Sequence, residues 1–324
     1  MPGRSQLPVH PDSIYVFIKY NSVWNNTIAD WKPVDESFHQ QLAAARTEKD
    51  TMNCFVMVLE KLNDVHSVIL YNNKQYGYFK PVDSLTYLKT KPLLQRAEKE
   101  TGHFTTRMLP GKILYLRVPG INAFNPTLVN QQAQALYDSV FQFAPVKPSG
   151  IIVDLRLNTG GNMYPMLAGL SPVLGNNALG CETDMNGNIA RLWEIKNGDF
   201  YTGGYQATTI LRKYQPVFEK VPVAVLTGPL TTSSGSMTAI AFKQRPRTLF
   251  IGEPTAEGYT TGNGYFQFAP NLTILLSTNF AADRRKQVYK QAVPVDVTVK
   301  TPDNFDDLLK DGKIKAALNW LRKN

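Results

Sequence analysis

Three places in the sequence combine reactive residue types with useful spacing. The first is Ser233, in the segment 221–242, Val-Pro-Val-Ala-Val-Leu-Thr-Gly-Pro-Leu-Thr-Thr-Ser-Ser-Gly-Ser-Met-Thr-Ala-Ile-Ala-Phe. An apolar run predicts a buried strand, hydroxyl residues follow, and a helix of small and apolar residues starts at Ser233. A helix N-terminus carries unpaired N–H groups and a field that favours an oxyanion, so a serine there can be a nucleophile. The alternative is that Thr232, Ser233 or Ser234 only caps the helix. The second place is Gly160-Gly161, after the run ending Asp154-Leu155-Arg156. Paired glycines at a strand end let backbone N–H groups approach a ligand, or simply make a tight turn. The third is His66, where a helix ends and a strand begins. Histidine is the usual base for a serine because its pKa lies near neutrality. Among the four histidines, His10 falls in a proline-rich start, His39 at a polar helix start and His103 in a loop.

The elements that must hold these residues follow from periodicity. Residues 13–31 alternate apolar and polar types, with many aromatics. Residues 35–62 repeat apolar positions at spacings near three and four, which predicts a helix. A strand follows over 65–71, and residues 72–105 read as a mixed boundary region. From Lys112 onward the pattern changes. Strands are expected at 113–118, 151–155, 221–226 and 249–252, with helices at 127–143, from about 162 to 174, and 233–243. Residues 181–210 read as strands and loops, residues 264–280 as a hairpin around Pro270-Asn271, and residues 305–321 as an amphipathic helix. Strand, crossover helix and strand in repetition imply an α/β core with a largely parallel sheet. The expected organisation is a mainly helical N-terminal cap over residues 1–105, carrying His66, and an α/β catalytic core over 106–324, carrying Ser233.

Composition narrows the function. The 324 residues are 43% hydrophobic and 19% charged, as in globular enzymes. The net charge of +9 comes from 35 Lys+Arg against 26 Asp+Glu. Without a zinc-finger, RNA-binding or basic-zipper pattern this is read as a solubilising surface, and no nucleic-acid partner is expected. Two cysteines cannot build a disulfide framework or a four-thiolate metal site. No metal motif, phosphate loop or marked carboxylate pair is present, so no cofactor is expected. No run approaches a membrane span. Residues 1–14, with Pro2, Pro8 and Pro11, do not read as a signal peptide.

Several segments in order resemble the C-terminal processing (tail-specific) serine peptidase family, whose relatives include the tricorn protease core and interphotoreceptor retinoid-binding repeats. Leu62-Asn63-Asp64-Val65-His66-Ser67 is similar to its Leu-x-Asp-Gly-His-Thr/Ser. Gly111 to Pro119 resembles its Gly-Lys-Ile-Gly-Tyr-Leu-Arg strand. Residues 152–161 resemble Ile-x-Asp-Leu-Arg-x-Asn-x-Gly-Gly. Thr231 to Ser236, Arg245-Pro246-Arg247 and Gly252 to Ala256 match the nucleophile helix and following strand, and Tyr289 to Val297 resembles the closing segment. The resemblance implies a ClpP/crotonase-like core, Ser233 as nucleophile, His66 as base in the tricorn-like variant, and an oxyanion hole from Gly160 or Gly161 with Ser234. Three departures matter. Ala256-Glu257-Gly258 stands where the bacterial enzymes carry their lysine base. Ser236 replaces the acidic residue after Ser-Gly. The acid that would orient His66 is open, with Asp283, Glu253 and Glu257 as candidates. The 44 residues from Ser67 to Pro110 are too few for the family's PDZ insert.

The expectation is thus a serine endopeptidase acting on peptide or protein chains through an acyl-enzyme. The alternatives are a catalytically degenerate ligand- or peptide-binding scaffold of the same fold, or an esterase. The expected location is periplasmic or secreted, with a signal peptide already removed, or else cytoplasmic. Oligomeric state is not legible.

Overall fold

The structure, a computed structural model, describes residues 7–211 and 217–324, with Leu85 and Lys89 described by their backbone alone. Pro2, at the start of the proline-bearing N-terminus, lies outside the described residues. The chain divides into two compact units. The first holds the chain up to Val82 with Thr183–Asn188 and Thr261–Phe280, and the second holds Asp83–Glu182, Ile189–Thr260 and Ala281–Asn324.

In the second unit the apolar runs become a six-stranded sheet. Its order is Val297–Thr298, Thr248–Gly252, Val223–Thr227, Gly150–Asp154, Ile113–Arg117 and Thr105–Leu109. All neighbours are parallel except the last pair, a hairpin turning at Gly111-Lys112. Parallel strands need covered faces, and both are covered. Leu114, Leu116, Ile151, Val153, Val223 and Val225 pack with the helices Pro126–Phe141, Met163–Gly169 and Ser234–Phe242. Ile113, Tyr115, Ile152, Ala224 and Leu226 pack with the C-terminal helix Gly312–Leu321. That helix begins later than the expected 305 because Asp311 caps it, accepting from the N–H groups of Lys313 and Ile314.

The first unit contains the helices Pro11–Asn21, Lys32–Ala44 and Glu48–Lys61. It also carries an antiparallel sheet in which the strand beginning at Leu272 lies between Val68–Tyr71 and Thr261–Ala269. The hairpin around Pro270-Asn271 is the one expected. The alternating stretch near residue 13 is a helix instead, with Pro11 in its first turn and Ile14, Tyr15 and Ile18 buried. The helix expected over 35–62 is two, because Thr47 and Asp50 form a capping box that starts a new one. The helix Ser84–Glu100 belongs to the second unit. Ala97 packs there with Leu157 and Phe305, and Glu100 pairs with Arg117 at 2.8 Å.

Candidate active site

After the strand Val223–Thr227 the chain turns through Gly228 to Ser233 and enters a helix buried along all nine residues. Thr231 pins the turn. Its Oγ1 accepts from Gly228 N–H at 3.1 Å and donates to Leu155 O at 2.9 Å, while its carbonyl accepts from Ala256 N–H at 3.0 Å. Ser233 sits at φ 51°, ψ −121°, a conformation that is strained for a residue with a Cβ. It occupies the N-cap position but makes no side-chain capping bond. Capping by the Ser233 side chain is therefore not what holds this turn. A serine on a strained strand-to-helix turn is the geometry of a nucleophile elbow.

Asn158, fully buried, organises the facing loop. Its Oδ1 accepts from Gly160 N–H at 3.0 Å, its carbonyl from Thr232 N–H at 3.0 Å, and its Nδ2 donates to the carbonyls of Val118 and Pro119. Gly160 lies so close to the nucleophile turn that a Cβ there would meet Ser233 Cβ at 2.9 Å. Gly161 has φ 107°, and a Cβ there would meet Ile121 O at 2.2 Å. Ser234 Oγ donates to Gly161 O at 2.7 Å, tying the helix start to the glycine loop. Since the Gly160 N–H is directed at Asn158, the donors best suited to an oxyanion are those of Gly161 and Ser234. Ser234 opens the helix, where an N–H has no intrahelical acceptor. Ser236, where the family carries an acid, is buried with its hydroxyl 3.4 Å from Thr231 O.

His66 belongs to the first unit. The helix Glu48–Lys61 closes with Asn63 at φ 53°, and Asp64 N–H donates back to Leu59 O at 2.9 Å. The buried Asp64 carboxylate then accepts from the N–H groups of His66 and Ser67, each at 3.0 Å, and from Ser67 Oγ at 2.5 Å. This side-chain turn fixes the backbone of His66. Its Nδ1 lies 2.8 Å from Thr261 Oγ1, and its carbonyl accepts from Asn263 Nδ2 at 2.8 Å. Burial pushes the His66 pKa down to about 4, which leaves a neutral imidazole at pH 7.

The three acids considered as partners of His66 all belong to the second unit. Asp283 is buried and accepts from Arg285 N–H, Gln287 N–H and Tyr289 Oη. Glu253 lies 3.3 Å from Lys313 Nζ, and Glu257 is exposed. The partner of Nδ1 is a hydroxyl of the hairpin, from a residue not singled out by sequence.

The sequence and the fold have relatives. A family model described as peptidase family S41 matches residues 112–299. The chain belongs to peptidase family S41. The S41 chain is 30% identical over 256 residues to a nisin-resistance protein of Lactococcus lactis subsp. lactis, covering 73% of this chain and 74% of that protein. A lipoprotein of Streptococcus agalactiae shares the fold, with a TM-score of 0.69 at 22% identity and 99% of each chain covered. The family resemblance carried by the sequence motifs is thereby borne out, and a mixed α/β fold with it. Among the described residues no helix is long and apolar enough to cross a membrane.

The site residues that motif reading missed are Thr261, Asn263 and Ser277. Polar side chains recur at every second position, 261 and 263 on one strand and 277 and 279 on its partner, and hydroxyls and amides on the inward face of a hairpin are the available signal.

Proposed function

We propose that the chain is a serine peptidase in which Ser233 is the nucleophile and His66 the general base. Ser233 Oγ attacks the scissile carbonyl carbon as His66 Nε2 takes its proton. The N–H groups of Gly161 and Ser234 hold the oxyanion, and His66 returns the proton to the leaving amine. Water then attacks the acyl-enzyme by the reverse use of the same groups. The observation carrying this reading is Ser233 itself. Strain at a non-glycine residue whose hydroxyl closes no helix persists only where the surrounding structure imposes it, and such strain gathers at functional sites. The absence of the family's lysine at 256–258 favours the histidine over a Ser–Lys dyad.

The same reading carries a ClpP/crotonase-like description of the core, with the His66 unit acting as cap, and peptide or protein chains as substrates. The names of the two relatives, a lipoprotein and a nisin-resistance protein, support action outside the cytoplasm on peptides reaching the cell surface. A quenched-fluorescence peptide library is the test. Hydrolysis by the chain and none by Ser233→Ala supports the peptidase. A folded chain that binds peptides but leaves them intact points to the degenerate scaffold.

A further inference from the structure

The His66 ring is tied to the buried Asp64 carboxyl by a file of hydroxyls, all contributed by the first unit. His66 Nδ1 lies 2.8 Å from Thr261 Oγ1. Thr261 Oγ1 donates to Ser277 Oγ at 3.1 Å, and Ser277 Oγ donates to Asp64 Oδ1 at 3.0 Å. We infer that Thr261, Ser277 and Asp64 form a positioning relay that does for His66 what a directly bonded carboxylate does in a triad. The inference rests on the Ser233–His66 reading and names what completes it.

The donor directions carry the argument. Burial raises the Asp64 pKa, and four hydrogen bonds from protein donors oppose that rise by favouring the ionised, acceptor-only form. A carboxylate at the end of the file makes Ser277 a donor toward it. Charge assistance favours that acceptor over Asn263 Oδ1, which lies 3.3 Å from Ser277 Oγ. Ser277 Oγ then accepts from Thr261, and Thr261 Oγ1 accepts from His66. That order requires the proton on Nδ1 and leaves the lone pair on Nε2, the tautomer a general base needs. When His66 becomes an imidazolium the whole file polarises toward Asp64, so the charge is stabilised through two hydroxyls. The need is real, because burial alone makes this imidazole reluctant to take a proton.

The fold shows why the file is indirect. Asp64 is two residues before His66, and both of its oxygens are engaged locally, Oδ1 with the N–H groups of His66 and Ser67 and Oδ2 with Ser67 Oγ. The hairpin supplies the link. Its register shifts between Gly262 and Asn263, so Thr261 pairs with Phe280 while Asn263 pairs with Ser277. A bulge of this kind re-aims side chains, and here Thr261, Asn263 and Ser277 gather within 3.3 Å of one another. Asn263 Nδ2 is committed to the His66 carbonyl, which keeps its Oδ1 toward the hydroxyls. In this cluster Asp64 and His66 are the titratable groups. The hairpin strands packed against them bring Thr261, Asn263 and Ser277, and the end of the helix Glu48–Lys61 brings Asp64 itself.

Two measurements on the full chain test the relay. The ring nitrogen shifts of His66, read by 15N NMR at pH 7, should report a protonated Nδ1 in the native chain and a mixture of tautomers in Thr261→Val, which keeps the shape but not the hydroxyl. The rate of fluorophosphonate labelling at Ser233 should fall by roughly 10- to 100-fold in Thr261→Val and in Asp64→Asn, a part of the roughly 10²- to 10⁴-fold that general-base assistance supplies, and Thr261→Ser should recover most of it. The acid limb of the labelling profile should move to lower pH in Asp64→Asn, a shift that misfolding would not produce. A proton on Nε2 in the native chain, or native labelling rates in Thr261→Val, overturns the relay. A protonated Nδ1 that depends on Thr261, with no labelling of Ser233, upholds the tautomer lock and overturns the peptidase reading instead.

Discussion

The surroundings of Ser233 and of His66 are built from different materials. Around Ser233 the parts are backbone: two glycines at positive φ, a strained serine, a helix start, and Asn158, whose side-chain amide fixes main-chain groups of two segments while its carbonyl holds Thr232 N–H. Around His66 they are side chains, three hydroxyls, one amide and one carboxylate, carried on a bulged hairpin and a helix end. A backbone-built site tolerates almost no change at its glycines but is indifferent to the chemistry of many side chains nearby. A side-chain-built site keeps its shape under isosteric replacement and loses function through lost protons. The two regions should therefore fail in different ways.

The largest effect is expected at Ser233. Ser233→Ala should lower peptide hydrolysis by about 10⁴-fold or more, as removal of a nucleophile does. Ser233→Gly should be equally inactive yet more stable than Ser233→Ala, because glycine relieves about 1–3 kcal/mol of backbone strain, and thermal melting of the pair reads the difference. Next comes Gly160→Ala. Its new Cβ would press on Ser233 Cβ at φ 105°. Activity should drop roughly 10²-fold, the scale of misplacing a reacting group by about 1 Å, with a lowered Tm. Asn158→Ala should cost about 3 kcal/mol in denaturant unfolding, since it leaves buried carbonyl and N–H groups without partners.

A smaller effect separates the regions by pH. His66 must be unprotonated to act as base, and burial holds its pKa at about 4. As pH falls from 7, kcat/KM should stay level past 6.5, where an ordinary histidine would begin to protonate, and decline only toward pH 4. A decline centred near 6.5 would contradict the neutral, buried base. The smallest effect is expected at Ser236→Ala, within about 0.5 kcal/mol by chemical denaturation, because its only described side-chain bond is long at 3.4 Å.

How much of this was legible in the sequence follows the same contrast. The parallel strands could be read because burial on both faces makes continuous apolar runs, as in residues 151–155 and 221–226. The Ser233 turn and Gly160-Gly161 could be read because strand, turn and helix are neighbours in the chain. The helix Pro11–Asn21 could not, since its apolar residues also fit alternation. The helix Ser84–Glu100 was obscured by Pro92 within it and by few apolar positions. The partners of His66 were the hardest to find. Thr261 is 195 residues away, and its hydroxyl matters only through a register shift that no local pattern announces. Asp64 was visible within the motif around His66, but its reach to the ring runs through that distant hairpin.

The central claim is that Ser233 is the activated nucleophile. The most direct measurement is mass-spectrometric mapping of the adduct left by a fluorophosphonate on the native chain. The account predicts one adduct, on the peptide carrying Ser233, formed more slowly in His66→Ala and absent in Ser233→Ala. A folded chain that takes no adduct, or takes it on another serine, would contradict it.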